Sequence, residues 1–172
     1  MPPTETGAGA YLGLGGNVGD PVASMAEALR RIDAYPDCRV TAVSRLYRTP
    51  PWGKTDQDWF FNAAAAVRTA LAPEALLDLC LDIERAMKRV RAERWGPRTL
   101  DIDILAYDAL GLSAPRLELP HPRMTERAFV LMPLADIAPD LTIAGKPVTG
   151  WLESVGGEGI EVVGEGRDWW RR

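Results

Sequence analysis

Two hydrophobic periods alternate along this chain, and their order restricts the fold more than any other feature. Ala10 to Leu14 reads as a short strand. Asp20 followed by Pro21 has the form of an N-cap and first helical residue, and Met25, Ala28, Leu29 and Ile32 then recur at helical spacing, predicting a helix to about Tyr35. Arg39 to Tyr47 alternates as a second strand, and Phe60 to Arg68 as a third. Between them Thr49 to Asp58 is a polar loop with two prolines. Pro73 opens a second helix, with Leu76, Cys80, Ile83 and Met87 on one face. Val90 to Thr99 reads as a loop and Leu100 to Tyr107 as a fourth strand. A brief strand, Arg116 to Leu119, and a short helix, Thr125 to Ala135, follow. Residues 1–9 read as a loose leader, and the stretch from about 153 to 172, ending in Trp169-Trp170-Arg171-Arg172, carries no clear pattern.

The order β-α-β-β-α-β predicts an α+β fold, a ferredoxin-like split βαβ with an antiparallel sheet and a C-terminal extension. Helices would cover one sheet face. The other would be open to ligand, or covered by loops and the extension. A chain of 172 residues suits one domain, 1–172. The net charge of −4 argues against a general nucleic-acid surface. Cys38 and Cys80 have neither metal nor disulfide spacing, and no stretch is long and apolar enough to cross a membrane. No signal-peptide pattern opens the chain, so a cytoplasmic protein without a membrane partner is expected.

The local charge balance departs from the global one. From Glu84 to Arg98 six Lys/Arg stand against two Glu, and the run leads into Asp101 and Asp103. On a strand those two acids share one face, while Ile102 and Ile104 take the other. Two carboxylates there could hold hard cations such as Mg²⁺, which favours a few carboxylates completed by phosphate oxygens. Arg89, Arg91, Arg94 and Arg98 offer planar charged forks for those phosphates. Two solvated acids on an open sheet face are the plainer alternative. His121, the single histidine, sits between Pro120 and Pro122; such a residue is usually structural, but could donate to a phosphate oxygen. The glycine run from Gly13 fails the dinucleotide pattern at Val18, and Gly53-Lys54-Thr55 fails the phosphate-loop pattern at Arg48. The run through Gly19 therefore reads first as a tight strand-to-helix turn, and second as backbone lying close to a ligand. Core packing is the simpler account of Phe60 and Phe129, whereas Trp52 and Trp95 stand beside loop glycines. Aromatic rings could hold a flat heterocycle while an amide such as Asn62 reads its edge.

Taken together, YLGLGGNVGD, SRLYRTPPWG, WFFNAAAAV, RVRAERWGPRTLDIDIL and LPHPRMTERAFVLMPLADIAPDL, in that order, resemble the 6-hydroxymethyl-7,8-dihydropterin pyrophosphokinase family of the folate pathway. The resemblance spans about Tyr11 to Leu152. It implies Mg²⁺-dependent transfer of pyrophosphate from ATP to the pterin hydroxymethyl group, with AMP released. Asp101 and Asp103 match the acids holding two Mg²⁺ ions, and Arg89, Arg98 and His121 match catalytic groups on the phosphates. Phe60 and Phe129 match the two rings that sandwich the pterin. Thr49, Pro51, Trp52, Asn62, Trp95 and Arg127 match the remainder of that pocket. On the ATP side the resemblance places Glu84, Arg91, Arg94, Ile104 and Arg116. Between Arg91 and Arg94 only Ala92 and Glu93 intervene, one residue fewer than in some relatives. ATP and the pterin are the expected partners of a monomeric enzyme, without nucleic acid.

Two rival readings remain open at this stage. Split βαβ sheets also serve RNA-binding modules, although the acidic charge speaks against one here. An ordinary kinase moving only the γ-phosphate would need similar metal-binding acids.

Overall fold

The computed structural model describes residues 7–17, 19–50, 59–94 and 100–171, with side chains 88–94 outside the description. Ten strands are described: β1 (Ala8–Gly16), β2 (Cys38–Val43), β3 (Tyr47–Thr49), β4 (Phe60–Thr69), β5 (Asp101–Tyr107), β6 (Leu112–Ser113), β7 (Glu118–Leu119), β8 (Thr142–Ile143), β9 (Lys146–Pro147) and β10 (Glu161–Val162). Four α-helices join them: α1 (Pro21–Ala34), α2 (Pro73–Arg94), α3 (Ala128–Ile137) and α4 (Val148–Val155). The main sheet runs β10-β3-β4-β1-β5, with β2 also on β4, and every pairing is antiparallel.

The helix that follows β1 starts where its cap chemistry dictates. Asp20 Oδ1 accepts the Ala23 N–H at 3.0 Å, and Pro21 needs no partner at the first position. Met25, Ala28, Leu29 and Ile32 are fully buried against Leu12 and Leu14 of β1. Leu76, Cys80 and Ile83 of α2 complete that layer, with Leu100 and Ile102 from around β5. Burying a side chain of leucine size contributes about 1.5–3 kcal/mol, so this layer is the main source of stability.

Four expectations are corrected. Arg39–Tyr47 is not one strand but two, separated by Ser44–Leu46. The Ser44 hydroxyl accepts the Ala64 N–H at 2.9 Å, so a side chain takes a position in the ladder that backbone would otherwise occupy. Second, α2 runs on to Arg94 rather than ending before Val90. The stretch is rich in Arg, Glu and Ala, which all favour helix, and no glycine or proline interrupts it before Gly96. Third, β1 begins at Ala8, inside the expected leader. Fourth, the C-terminal stretch is ordered into the fold. β10 pairs with β3, and Trp170 is buried in the helix-side core.

The second sheet face is half covered. Leu131 and Leu134 of α3 and Val148 of α4 pack with Ala64, Leu105 and Ala106. A register shift on the β1–β5 pair opposite Tyr11 and Leu12 lets Leu105 and Ala106 join this cluster, while Ile104 stays on the other side. The glycine end of β1 is left uncovered, and there the cleft opens.

One ionic node ties α3 to β3. Asp136 takes hydrogen bonds from Arg45 Nη2 at 3.0 Å and from the Tyr47 hydroxyl at 2.8 Å. Burial raises the Asp136 carboxyl pKa, but the Arg45 and Tyr47 hydrogen bonds outweigh it and leave the pKa below the usual carboxylate range. The unfolded value is about 3.9, so the node contributes stability above that pH and loses it as pH falls through the lower folded value. Asp136→Asn is therefore expected to cost about 2–3 kcal/mol at pH 7. In thermal melts against wild type the deficit should shrink below about pH 4; a pH-independent deficit would assign the loss to packing.

Candidate active site

Glycines make the floor of the cleft. Leu12 and Leu14 point to the helix-side core, so Gly13 and Gly15 present bare backbone on the opposite face. Gly13 is in register with Asp103 and with Ala64, and Gly15 with Asp101 and Asn62. The acids of β5 thus flank the bare strip on one side and the Asn62 amide on the other. A Cβ on Gly15 would lie 2.7 Å from Asn62 Nδ2 and 3.3 Å from the Phe61 carbonyl oxygen, so only glycine leaves the amide where it is. The strip belongs to β1, and the turn follows it at Gly19, with φ +72°. Sequence favours a turn for this run and, second, backbone close to a ligand; the glycines line the cleft as the second would require. The signal was in the sequence, because glycines at i and i+2 alternate with buried leucines.

Gly13, Gly15, Gly16, Asn17, Thr49, Phe60, Asn62, Asp101, Asp103, Arg127 and Phe129 line one cleft of about 660 Å³. Seven of these eleven are residues expected from sequence; the glycines and Asn17 are the additions. Phe60 and Phe129 are both 37% exposed, unusual for large apolar rings, and both face the same space. Thr49 is paired with Phe60 across β3 and β4. Arg127 stands before α3 with its guanidinium 5.7 Å from the Phe129 ring centre.

The acid end is electrostatically coupled. Burial is the main cause that raises the Asp103 carboxyl pKa; His121 lowers it, Asp101 raises it and Arg127 lowers it. Burial is the main cause that lowers the His121 imidazole pKa, against the pull of Asp103, with Arg127 lowering it further. Its backbone N–H is bonded to the Leu105 carbonyl at 2.9 Å, which anchors the loop beside the irregular part of β5. Its Nδ1 accepts the Arg123 N–H at 3.2 Å, leaving the ring proton on Nε2. The ring also borders a second cavity of about 460 Å³ with Ser113, Glu118 and Thr125.

Of the expected ATP-side residues, Glu84, Ile104 and Arg116 are described, and they lie outside the cleft lining. Glu84 Oε2 accepts the Ile102 N–H at 2.6 Å, holding the strand between the two acids to α2. The Ile104 side chain is buried in the helix-side core. Arg116 pairs with Asp78 and Glu74 of α2. The side chains of Arg89, Arg91 and Arg94 lie outside the described residues, as do Pro51, Trp52, Trp95 and Arg98.

The donor chemistry suits Mg²⁺. Asp101 and Asp103 supply hard oxygens beside open space, and among the described residues no group of three or more His, Cys, Asp or Glu could hold a metal ion. Two acids with the other positions open fit an ion shared with phosphate oxygens.

Known proteins identify the family of this chain. Residues 11–139 match the family model for 7,8-dihydro-6-hydroxymethylpterin-pyrophosphokinase. The 2-amino-4-hydroxy-6-hydroxymethyldihydropteridine pyrophosphokinase of Methylorubrum extorquens is 56% identical over 154 residues, covering 90% of this chain and 98% of that protein. Its Pseudomonas aeruginosa namesake is 47% identical over 152 residues, covering 88% and 94%. A crystal structure of Plasmodium falciparum HPPK-DHPS with pteroate shares the fold at a TM-score of 0.68 and 16% identity, covering 86% of this chain. This chain spans 42% of the length of that structure. The chain belongs to the 7,8-dihydro-6-hydroxymethylpterin-pyrophosphokinase family.

Proposed function

We propose that this chain moves the β and γ phosphates of ATP together onto the hydroxymethyl group of 6-hydroxymethyl-7,8-dihydropterin, giving the pterin diphosphate and AMP in folate biosynthesis. One observation carries the reading: two exposed phenylalanines share a cleft with an amide at one side and a carboxylate pair at the other. A flat heterocycle with a hydroxymethyl arm fits that layout. The strand order and helix placement support a split βαβ, ferredoxin-like reading of the sheet.

Phe60 and Phe129 stack on the pterin, Asn62 and Thr49 read its edge, and Arg127 stands beside it. The family resemblance adds Pro51, Trp52 and Trp95 to this pocket. Asp101 and Asp103 hold Mg²⁺, two ions being expected with ATP, which when bound supply charge neutralisation for phosphate oxygens and a lowered pKa for the substrate hydroxyl. His121 donates a hydrogen bond from Nε2–H to a phosphate oxygen, and Arg89 and Arg98 balance charge as it grows toward the departing α-phosphate. Glu84, Arg91, Arg94, Arg116 and the Ile104 backbone make up the ATP side. Positioning and charge balance account for the catalysis, and the protein forms no covalent intermediate. The protein acts as a cytoplasmic monomer; no described helix is long and apolar enough to cross a membrane.

Product analysis tests the reading. With ATP, Mg²⁺ and the pterin, AMP is expected to appear only when pterin is present. ADP in its place would mean γ-phosphate transfer and a wrong leaving group. Neither product from folded protein would turn the cleft into a binding site without transfer.

A further inference from the structure

Three stretches far apart in the sequence meet at Asp136, near the end of α3. Arg45 reaches its carboxylate three times, from the backbone N at 3.1 Å, Nε at 3.1 Å and Nη2 at 3.0 Å. Tyr47 adds its hydroxyl at 2.8 Å. The C-terminal segment closes over the same point. Glu165 accepts from Arg45 Nη1 at 2.9 Å, and Arg167 Nη1 donates to the Asp136 carbonyl at 3.0 Å.

That segment is fastened along its length. Val162 pairs with Tyr47, and the Val163 N–H donates to the Leu46 carbonyl at 2.7 Å. Trp169 Nε1 donates to the Ser44 carbonyl at 2.9 Å, and Arg30 Nη1 to the Trp170 carbonyl at 2.7 Å. Trp170 itself is buried. The break between β2 and β3 is thus held from outside by the tail and from inside by Asp136.

What the node joins is the two sides of the aromatic slot. β3 ends at Thr49, paired with Phe60, and α3 begins with Ala128 and Phe129. α3 spans ten residues, about 15 Å, with Pro133 inside it, so pinning its far end to β3 constrains where Phe129 stands relative to Phe60 through one short helix. Replacing a whole buried ion pair by apolar groups of similar volume is often neutral, whereas removing one partner is costly, so the pair is not needed for stability alone. Directional bonds from the Arg45 backbone and side chain select one seating of the helix instead.

We propose that Arg45 and Asp136 are positioning residues for the pterin slot, latched by the C-terminal segment from Glu161 to Trp170. The proposal rests on the reading of the cleft as a pterin site. It assigns a role to the Trp169-Trp170 tail, for which the sequence reading had none.

The test uses the full chain with Asp136→Asn and Arg45→Lys. Pterin is titrated by its fluorescence onto protein saturated with an ATP analogue bridged by methylene between the α and β phosphates. The analogue alone is titrated separately. Both variants should weaken pterin binding about tenfold or more, as a displaced ring would. Analogue binding should stay within about twofold, since distant sites are nearly independent. Equal losses for both ligands, or unchanged pterin affinity in a folded variant, would overturn the proposal. Should Asp136→Asn fail to fold, Arg45→Lys decides, since it keeps the charge and loses the fork. Wild-type AMP formation is scored on its own, so a wrong transfer reading appears there and a wrong positioning role appears only in the variants.

Discussion

Replacing Asp103 with alanine is expected to lower kcat by about a thousandfold, close to 4 kcal/mol of transition-state stabilisation, without loss of fold. The carboxylate is half-buried and stands with Asp101 on the open face of β5. Burial and the Asp101 charge both raise its pKa, so its ionised form is disfavoured in the folded protein. The ionised carboxylate therefore costs stability at pH 7, and Asp103→Asn should melt at the wild-type temperature or above it while losing turnover. Steady-state rates paired with melting curves decide the matter. An Asp103→Asn protein with wild-type turnover would remove the carboxylate pair from the chemistry. A variant that lost rate and melting temperature in proportion would make the residue structural.

Gly15→Ala should impair the use of one substrate and spare the other. The new methyl would sit 2.7 Å from Asn62 Nδ2 and 3.3 Å from the Phe61 carbonyl oxygen. The amide is the end of a flexible side chain and swings away; the carbonyl yields by a few tenths of an ångström. A residual stability cost of about 1 kcal/mol is expected from the tighter fit. The pterin edge loses about 2 kcal/mol of hydrogen bonding, so kcat/KM for pterin should fall roughly thirtyfold while ATP binding is kept. Asn62→Ala should cause a similar fall, and the double variant little more than either, because both remove the same contact. Losses that simply add would show that Gly15 does not act through Asn62.

Periodicity made most of the architecture legible. Two helices and the long strands follow from spacing alone, since burial on one face selects the same residues that define the element. One error came where a side chain replaced backbone. Nothing in the alternation of Arg39–Tyr47 announces that the Ser44 hydroxyl will take the Ala64 N–H, or that Arg45 will turn aside to Asp136. The tail was unreadable for a related reason. A two-residue strand such as Glu161–Val162 has no period, and exists only because β3 offers it an edge.

The candidate site divides in the same way. The acids at 101 and 103 share a face because strand geometry requires it, and any chain that makes β5 places them together. The ring pair is different. Phe60 and Phe129 are separated by 69 positions and belong to a strand and a helix that no local rule brings together. Their common cleft depends on α3 being seated on one part of the second sheet face and leaving the glycine strip bare. Sequence by itself determined the elements, the paired carboxylates and the family motifs, because these depend on spacing along one strand or helix. The tertiary structure alone decided the width of the aromatic slot, the partner of Asp136 and the place of the tail, because each depends on contacts between segments whose separation in the chain carries no period.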